Sequence, residues 1–303
     1  MSQERQATNA IPQHPEVPRH DVPLGGRSGF TVIDGRQVHY LEWGPASAPV
    51  VLCLHGGGQT AYMFEEIGHA LRERYHVLAP DLPDHGDSDP AREYGRHAIA
   101  ATLPALCAHF GLRRFAMIGA SLGGIVSITH AAAHPDGVSA IVLIDVGHKL
   151  EEQGVKKIMQ FMSAHESFAS LEEAAAEIAP YLPHRKNVRP ERLSRNLRQR
   201  ADGRWVWKHG YNRRLRAEGD EPGRNWQNVI EGLDADCARL RCPVLVLRGA
   251  ASDVLSREGA EEVAKLIPNA RLATVHNAGH LAAGDNPEST VSLVSGFLAE
   301  IGW

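Results

Sequence analysis

Short, almost wholly apolar runs, each giving way to a helix-compatible stretch, recur along this chain, and no other feature narrows its fold so far. Val50-Val51-Leu52-Cys53-Leu54 carries no charged or amide side chain, as suits a strand covered on both faces of a parallel sheet. Comparable runs at 76–81, 115–120, 140–145, 243–249 and 270–276 alternate with helical stretches at 61–75, about 95–110, 122–133, 257–267 and 287–301. Such alternation predicts an α/β fold with a mostly parallel central sheet and helices on both faces. It fails between 148 and 237, where helical segments, prolines and aromatics replace the buried-strand pattern. That segment reads as an insertion, leaving a core of 24–147 and 238–303. Ahead of the core, Asp34-Gly35 between two alternating runs signals a β-hairpin. Residues 1–23, with four prolines and no periodicity, read as a disordered or loosely attached arm.

Residues 114–124 are the most informative stretch for chemistry. An apolar run ends in Gly119-Ala120-Ser121-Leu122-Gly123, and a helix-compatible run follows at once. A serine at such a strand-to-helix turn is held in strained backbone geometry with its hydroxyl pushed above the sheet, and glycines two residues to either side leave it room. The helix that starts at Leu122 aims unpaired N–H groups and a positive dipole end at any negative charge forming beside Ser121.

A serine hydroxyl is a poor nucleophile at neutral pH and needs a base, which in turn needs an orienting acid. His280, in Asn277-Ala278-Gly279-His280-Leu281 just past the last expected strand, is the candidate base, and His276 is its nearest rival. Two carboxylates end expected strands. Asp253 is preferred as the orienting acid, because it lies on the loop before that of His280, and Asp145 is the alternative. The tetrahedral oxyanion needs fixed donors, for which the backbone N–H groups of Leu122 and of Gly57, with Gly58 next, are the candidates.

Composition excludes several classes. The 303-residue chain has an ordinary 43% of hydrophobic and 22% of charged residues, and no apolar run long enough for a membrane helix, so a cytoplasmic protein with neither membrane nor nucleic-acid partner is expected. Cys53, Cys107, Cys237 and Cys242 are too scattered for a disulfide framework and are read as reduced. No histidine or carboxylate spacing matches a metal site, so no metal is expected. The net charge of −4 hides an asymmetry: residues 185–224 carry 13 Lys/Arg against 5 Asp/Glu. The excess reads as a solvated Arg-rich face or as an attractor of anionic molecules.

The chain resembles proteins of the α/β-hydrolase fold over about residues 30–301. The carriers are His55-Gly56-Gly57, the loop Asp81–Asp89, Gly119-Ala120-Ser121-Leu122-Gly123, Asp253 and Asn277-Ala278-Gly279-His280. The order serine, acid, histidine agrees with either acid. Serine at 121 departs from the dehalogenase and epoxide-hydrolase branches, whose nucleophile there is aspartate. The resemblance implies that the insertion is a helical cap roofing the site. Trp205, Trp207, Tyr211 and Trp226 are candidate pocket residues or residues that fasten the cap to the core, and the Asp and Gly of loop Asp81–Asp89 read as serving turns and sheet-edge hydrogen bonds. The expected activity is a cofactor-free Ser-His-Asp hydrolase, cleaving a small to medium carboxylic ester, thioester or lactone through an acyl-enzyme. Alternatives are a C–C bond hydrolase, a cofactor-free perhydrolase or oxygenase, and a slow-turnover ligand sensor. A small-molecule substrate and a possible homodimer complete the expectations.

Overall fold

The computed structural model describes residues 22–185, 187–213 and 226–303. Eight strands form one sheet: β1 (Arg27–Ile33), β2 (Arg36–Trp43), β3 (Val50–Leu54), β4 (His76–Pro80), β5 (Phe115–Ala120), β6 (Val138–Ile144), β9 (Val244–Gly249) and β10 (Ala270–Val275). Their spatial order is β1-β2-β4-β3-β5-β6-β9-β10. β1 and β2 form the hairpin read at Asp34-Gly35, where both turn residues have positive φ, and β2 joins β4 antiparallel. From β4 to β10 all neighbours are parallel.

The two-residue side-chain period of the strands divides the core into two layers. Leu52, Leu54, Met117, Leu143 and Val246 face one cluster, while Val51, Cys53, Ile118, Val142 and Leu247 face the other. The first cluster is completed by α3 (Leu103–His109), α4 (Leu122–Ala133), α7 (Leu233–Ala238) and α8 (Arg257–Leu266), and the second by α1 (Glu65–Leu71) and α9 (Pro287–Glu300). Burial on both sides explains the absence of alternation in the strand sequences. All four cysteines are buried and unbridged.

Several expected elements are shorter than their patterns. The helix expected over 61–75 is a 3-10 turn, Ala61–Phe64, followed by α1. That over 95–110 is broken into α2 (Arg96–Ala100) and α3, with the break just ahead of Pro104, a residue accommodated in the first turn of a helix because it has no N–H to donate. Leu233 and Cys237 fall inside the sequence range of the insertion, yet both pack into the cluster beneath α4.

The segment between β6 and β9 contains α5 (Glu152–Ala164), α6 (Leu171–Ile178) and a small hairpin of β7 (Leu197–Gln199) and β8 (Trp205–Trp207). It has its own core around Phe168, Ala174, Ile178 and Leu197. The hairpin has no counterpart in the sequence reading, because three-residue strands are too short to show alternation. Apart from Val22 and Pro23, the expected N-terminal arm lies outside the described residues. No helix among the described residues is long and apolar enough to cross a membrane.

Candidate active site

The parallel strands deliver the candidate residues to one edge of the sheet. Ser121 follows β5, Asp145 follows β6, the loop from His55 follows β3, and His280 lies beyond β10. Ser121 is the N-cap of α4 with φ 46° and ψ −116°, a conformation that side-chain-bearing residues rarely adopt. Its backbone N–H donates to Ile144 O at 3.1 Å, and its carbonyl accepts the first helical hydrogen bond from Ile125. The N–H of Leu122 therefore belongs to the set at a helix start that has no intrahelical partner. The flanking glycines are required by close approach: a Cβ on Gly119 would lie 2.5 Å from Gly123 O, and one on Gly123 would lie 1.9 Å from Leu54 O.

Gly56 to Gln59 form a β-turn closed by a hydrogen bond from Gln59 N–H to Gly56 O at 3.1 Å, with Gly58 at φ +72° in the third position, where glycine is favoured. His55 holds this turn. Its Nε2 accepts the Leu82 N–H at 2.9 Å, so Nδ1 carries the proton and donates to Gly56 O at 2.8 Å. Complete burial lowers the His55 pKa against the charge of Asp81, which keeps the ring neutral and this tautomer fixed. A Cβ built on Gly57 would come no closer than 4.0 Å to the Leu122 side chain, so the two candidate oxyanion donors belong to facing segments. A Cβ on Gly58 would meet Met162 of α5 at 3.1 Å.

The acid expected opposite His280 is where the sequence preference and the structure part. His280 Nδ1–H donates to Asp145 Oδ2 at 2.8 Å, and Asp145 is fully buried at φ 51°. Two more donors complete its carboxylate: Gly249 N–H on Oδ1 at 2.9 Å and the Ser252 hydroxyl on Oδ2 at 2.6 Å. Such a set satisfies a buried carboxylate. Asp253 does not reach His280. Its carboxylate, half exposed, accepts from Lys157 Nζ of α5 at 3.3 Å. The turn after β9 directs Ser252 inward and Asp253 outward, and the Ser252 hydroxyl, which the sequence reading passed over, also accepts the N–H groups of Val254 and Leu255. The nearest signal was its place one residue before the preferred acid, on a loop at the same sheet edge.

Ser121, Leu122, Gly57, Gly58 and His280 all line one cavity of about 540 Å³ between the strand ends and the insertion, within the usual range for small-molecule sites. Trp207, Tyr211 and Trp226 line it too. Trp205 does not: it exchanges two backbone hydrogen bonds with Phe168, both 2.8 Å, and packs in the insertion's own core.

Of the described cations of the basic stretch, Arg198, Arg200 and Arg204 are exposed, as on a solvated face, and others are paired with the core. Among its described residues, Arg195 forms a bidentate pair with buried Glu65 at 2.7 and 2.8 Å, Lys208 reaches Asp87 at 2.7 Å, and Arg213 pairs with Asp84. These three cations of the insertion thus dock onto carboxylates of the core. His39, Asp81 and Asp87 are the one group among the described residues whose ligand atoms cluster as a metal site would. Hydrogen bonds already occupy them: Asp81 accepts from His39 Nδ1 at 2.6 Å, from Ala61 N–H at 2.7 Å and from Asp87 N–H at 3.0 Å. Burial alone would raise the Asp81 pKa, but these donors and the neighbouring histidines outweigh it and hold the acid ionised. That network makes the loop Asp81–Asp89 a brace for the strand end.

A family model described as the alpha/beta hydrolase fold matches residues 49–287. An esterase of Mycobacterium tuberculosis is 29% identical over 273 residues, covering 85% of each chain. A 3-hydroxybutyrate-oligomer hydrolase of Cupriavidus necator is 28% identical over 80% of this chain and 86% of its own. An alpha/beta hydrolase from Novosphingobium aromaticivorans superposes with a TM-score of 0.76 at 28% identity, covering 91% of this chain and 98% of that one. With the strand order, the serine turn and the family match in agreement, the chain belongs to the alpha/beta hydrolase fold family.

Proposed function

We propose that the protein is a serine ester hydrolase in which Ser121 is the nucleophile, His280 the base and Asp145 the acid that orients it. The observation that carries the reading is the hydrogen bond from His280 Nδ1–H to a buried carboxylate. It commits the proton to Nδ1 and leaves Nε2 with a lone pair. The esterase relative supports an ester as the substrate.

The steps follow from that tautomer. Nε2 takes the Ser121 proton as Oγ adds to the ester carbonyl, and the N–H groups of Leu122 and Gly57 receive the oxyanion. The intermediate collapses, breaking the bond to the alcohol oxygen, which leaves with the proton held by His280. Water then adds to the acyl-enzyme with His280 again as base, and the acid departs from Ser121. The imidazolium formed on the way is stabilised by Asp145. The insertion acts as a cap whose largely apolar inner surface suits an aliphatic acyl group. Hydrolysis of p-nitrophenyl butanoate tests the reading: Ser121→Ala is expected to lower kcat about a thousandfold or more. An unchanged rate would reject Ser121 as nucleophile.

A further inference from the structure

The wall of the cavity beside His280 is built by a turn of the insertion. Leu182 to Arg185 close a β-turn through the Arg185 N–H and Leu182 O at 3.0 Å, with Pro183 pre-set at its second position. His184 packs on the residue preceding His280, since a Cβ on Gly279 would meet His184 Cδ2 at 3.0 Å. The Arg185 guanidinium packs against Gly284, where a Cβ would stand 2.1 Å from one terminal nitrogen, and its Nε–H donates to Asp285 Oδ1 at 3.4 Å. The Asp285 side chain is shielded from solvent, and its other oxygen accepts the Gly279 N–H at 3.0 Å. Arg185 itself is about one-third exposed and lines the cavity. Asp285 is its partner among the described residues, and that contact uses one of five N–H donors.

The reaction chemistry says what passes this wall. The alcohol oxygen must take its proton from His280 Nε2, so the alcohol portion of the ester leaves on the side of the His280 loop, where Arg185 sits. We propose that Arg185 binds a carboxylate carried by the alcohol portion, so that the substrates are O-acyl hydroxy acids; this deepens, and rests on, the ester hydrolase reading above. A guanidinium anchored through Nε by a shielded acid presents its terminal N–H groups in a fixed fork matched to a carboxylate. The Arg185–Asp285 pair is neutral overall, so the remaining N–H groups of the guanidinium offer hydrogen bonds to a carboxylate without the excess positive charge that a phosphate dianion would draw on. The other described lysine or arginine of the cavity wall, Lys157, is engaged by Asp253.

The test compares kcat/KM for 3-(butanoyloxy)butanoate with that for its neutral amide, with p-nitrophenyl butanoate and mono-p-nitrophenyl glutarate alongside. Wild-type enzyme is expected to favour the carboxylate over the amide by about tenfold or more, the scale of a charged hydrogen-bonded pair. Arg185→Met should bring that ratio to about one or below. Arg185→Lys, which keeps the charge without the fork, should retain part of it. Each ratio is taken within one variant, so losses of folded enzyme cancel. A wild-type ratio near one, a ratio unchanged in Arg185→Met, or a preference seen only for the glutarate, whose carboxylate is on the acyl side, overturns the assignment. Turnover of p-nitrophenyl butanoate in those cases leaves the esterase reading standing, whereas no turnover of any ester overturns both.

Discussion

The strand-end wall of the cavity and the wall supplied by the insertion are held by different forces. On the strand side, Ser121, Asp145 and the His280 loop are fixed by backbone hydrogen bonds and by close approaches, such as that of Gly123 to Leu54 O. On the insertion side, two backbone hydrogen bonds, Gly210 N–H to Asp84 O at 3.0 Å and Glu151 N–H to Val254 O at 2.8 Å, and a small apolar cluster around Val155, Trp226 and Val254 are joined by a series of side-chain ion pairs: Arg195 on Glu65, Lys208 on Asp87, Arg213 on Asp84 and Arg185 on Asp285. Close-packed backbone transmits small displacements without relief, whereas ion pairs respond to pH and salt. The reacting groups thus sit on the wall that resists movement, and the substrate-facing side chains on the one that can be loosened.

Urea unfolding of three variants would sharpen the contrast. Gly123→Ala forces a methyl into a backbone carbonyl and is expected to cost more than about 4 kcal/mol. Glu65→Gln strips the charge from a buried pair and should cost about 3 kcal/mol. Burial alone would raise the Glu65 pKa, but the Arg195 hydrogen bonds, the Leu24 N–H and the nearby guanidinium charges outweigh it, and the net shift is downward. A depressed folded-state pKa means that this contribution is complete above the ordinary value of 4.5 and is lost as the pH falls below it through the folded value. Glu65→Gln should therefore remove part of the acid sensitivity of unfolding. Lys208→Met, at a pair with a partly exposed acid, should cost no more than about 1 kcal/mol. Equal losses in all three would dissolve the distinction between the walls.

How much was legible in the sequence follows the same division. The parallel strands announce themselves because burial on both faces demands uninterrupted apolar residues, and Ser121 is visible because its turn requires Gly119 and Gly123. The position of His280 past the last strand was enough to nominate it. The acid was not decidable by spacing: Asp145 and Asp253 follow neighbouring strands, and a one-residue difference in the turn after β9 turns Ser252 inward and Asp253 toward Lys157. The excess of positive charge at 185–224 was legible, but its partners were not. Glu65 and Arg195 are 130 residues apart, and nothing local records that they meet. Whether Trp205 lines the pocket or packs the insertion was open for a related reason, since its place is decided by a bridge to Phe168.

The central claim is that Asp145 orients His280 for attack by Ser121, and Asp145→Asn and Asp253→Asn measured side by side test it most directly. Kinetics on p-nitrophenyl butanoate should show kcat falling about ten-thousandfold in Asp145→Asn, as when an orienting carboxylate is replaced by an amide that stabilises the wrong tautomer. Asp253→Asn should stay within about threefold of wild type, the scale of a lost exposed ion pair. A large loss in Asp253→Asn, or an Asp145→Asn enzyme of near wild-type rate, would contradict the account.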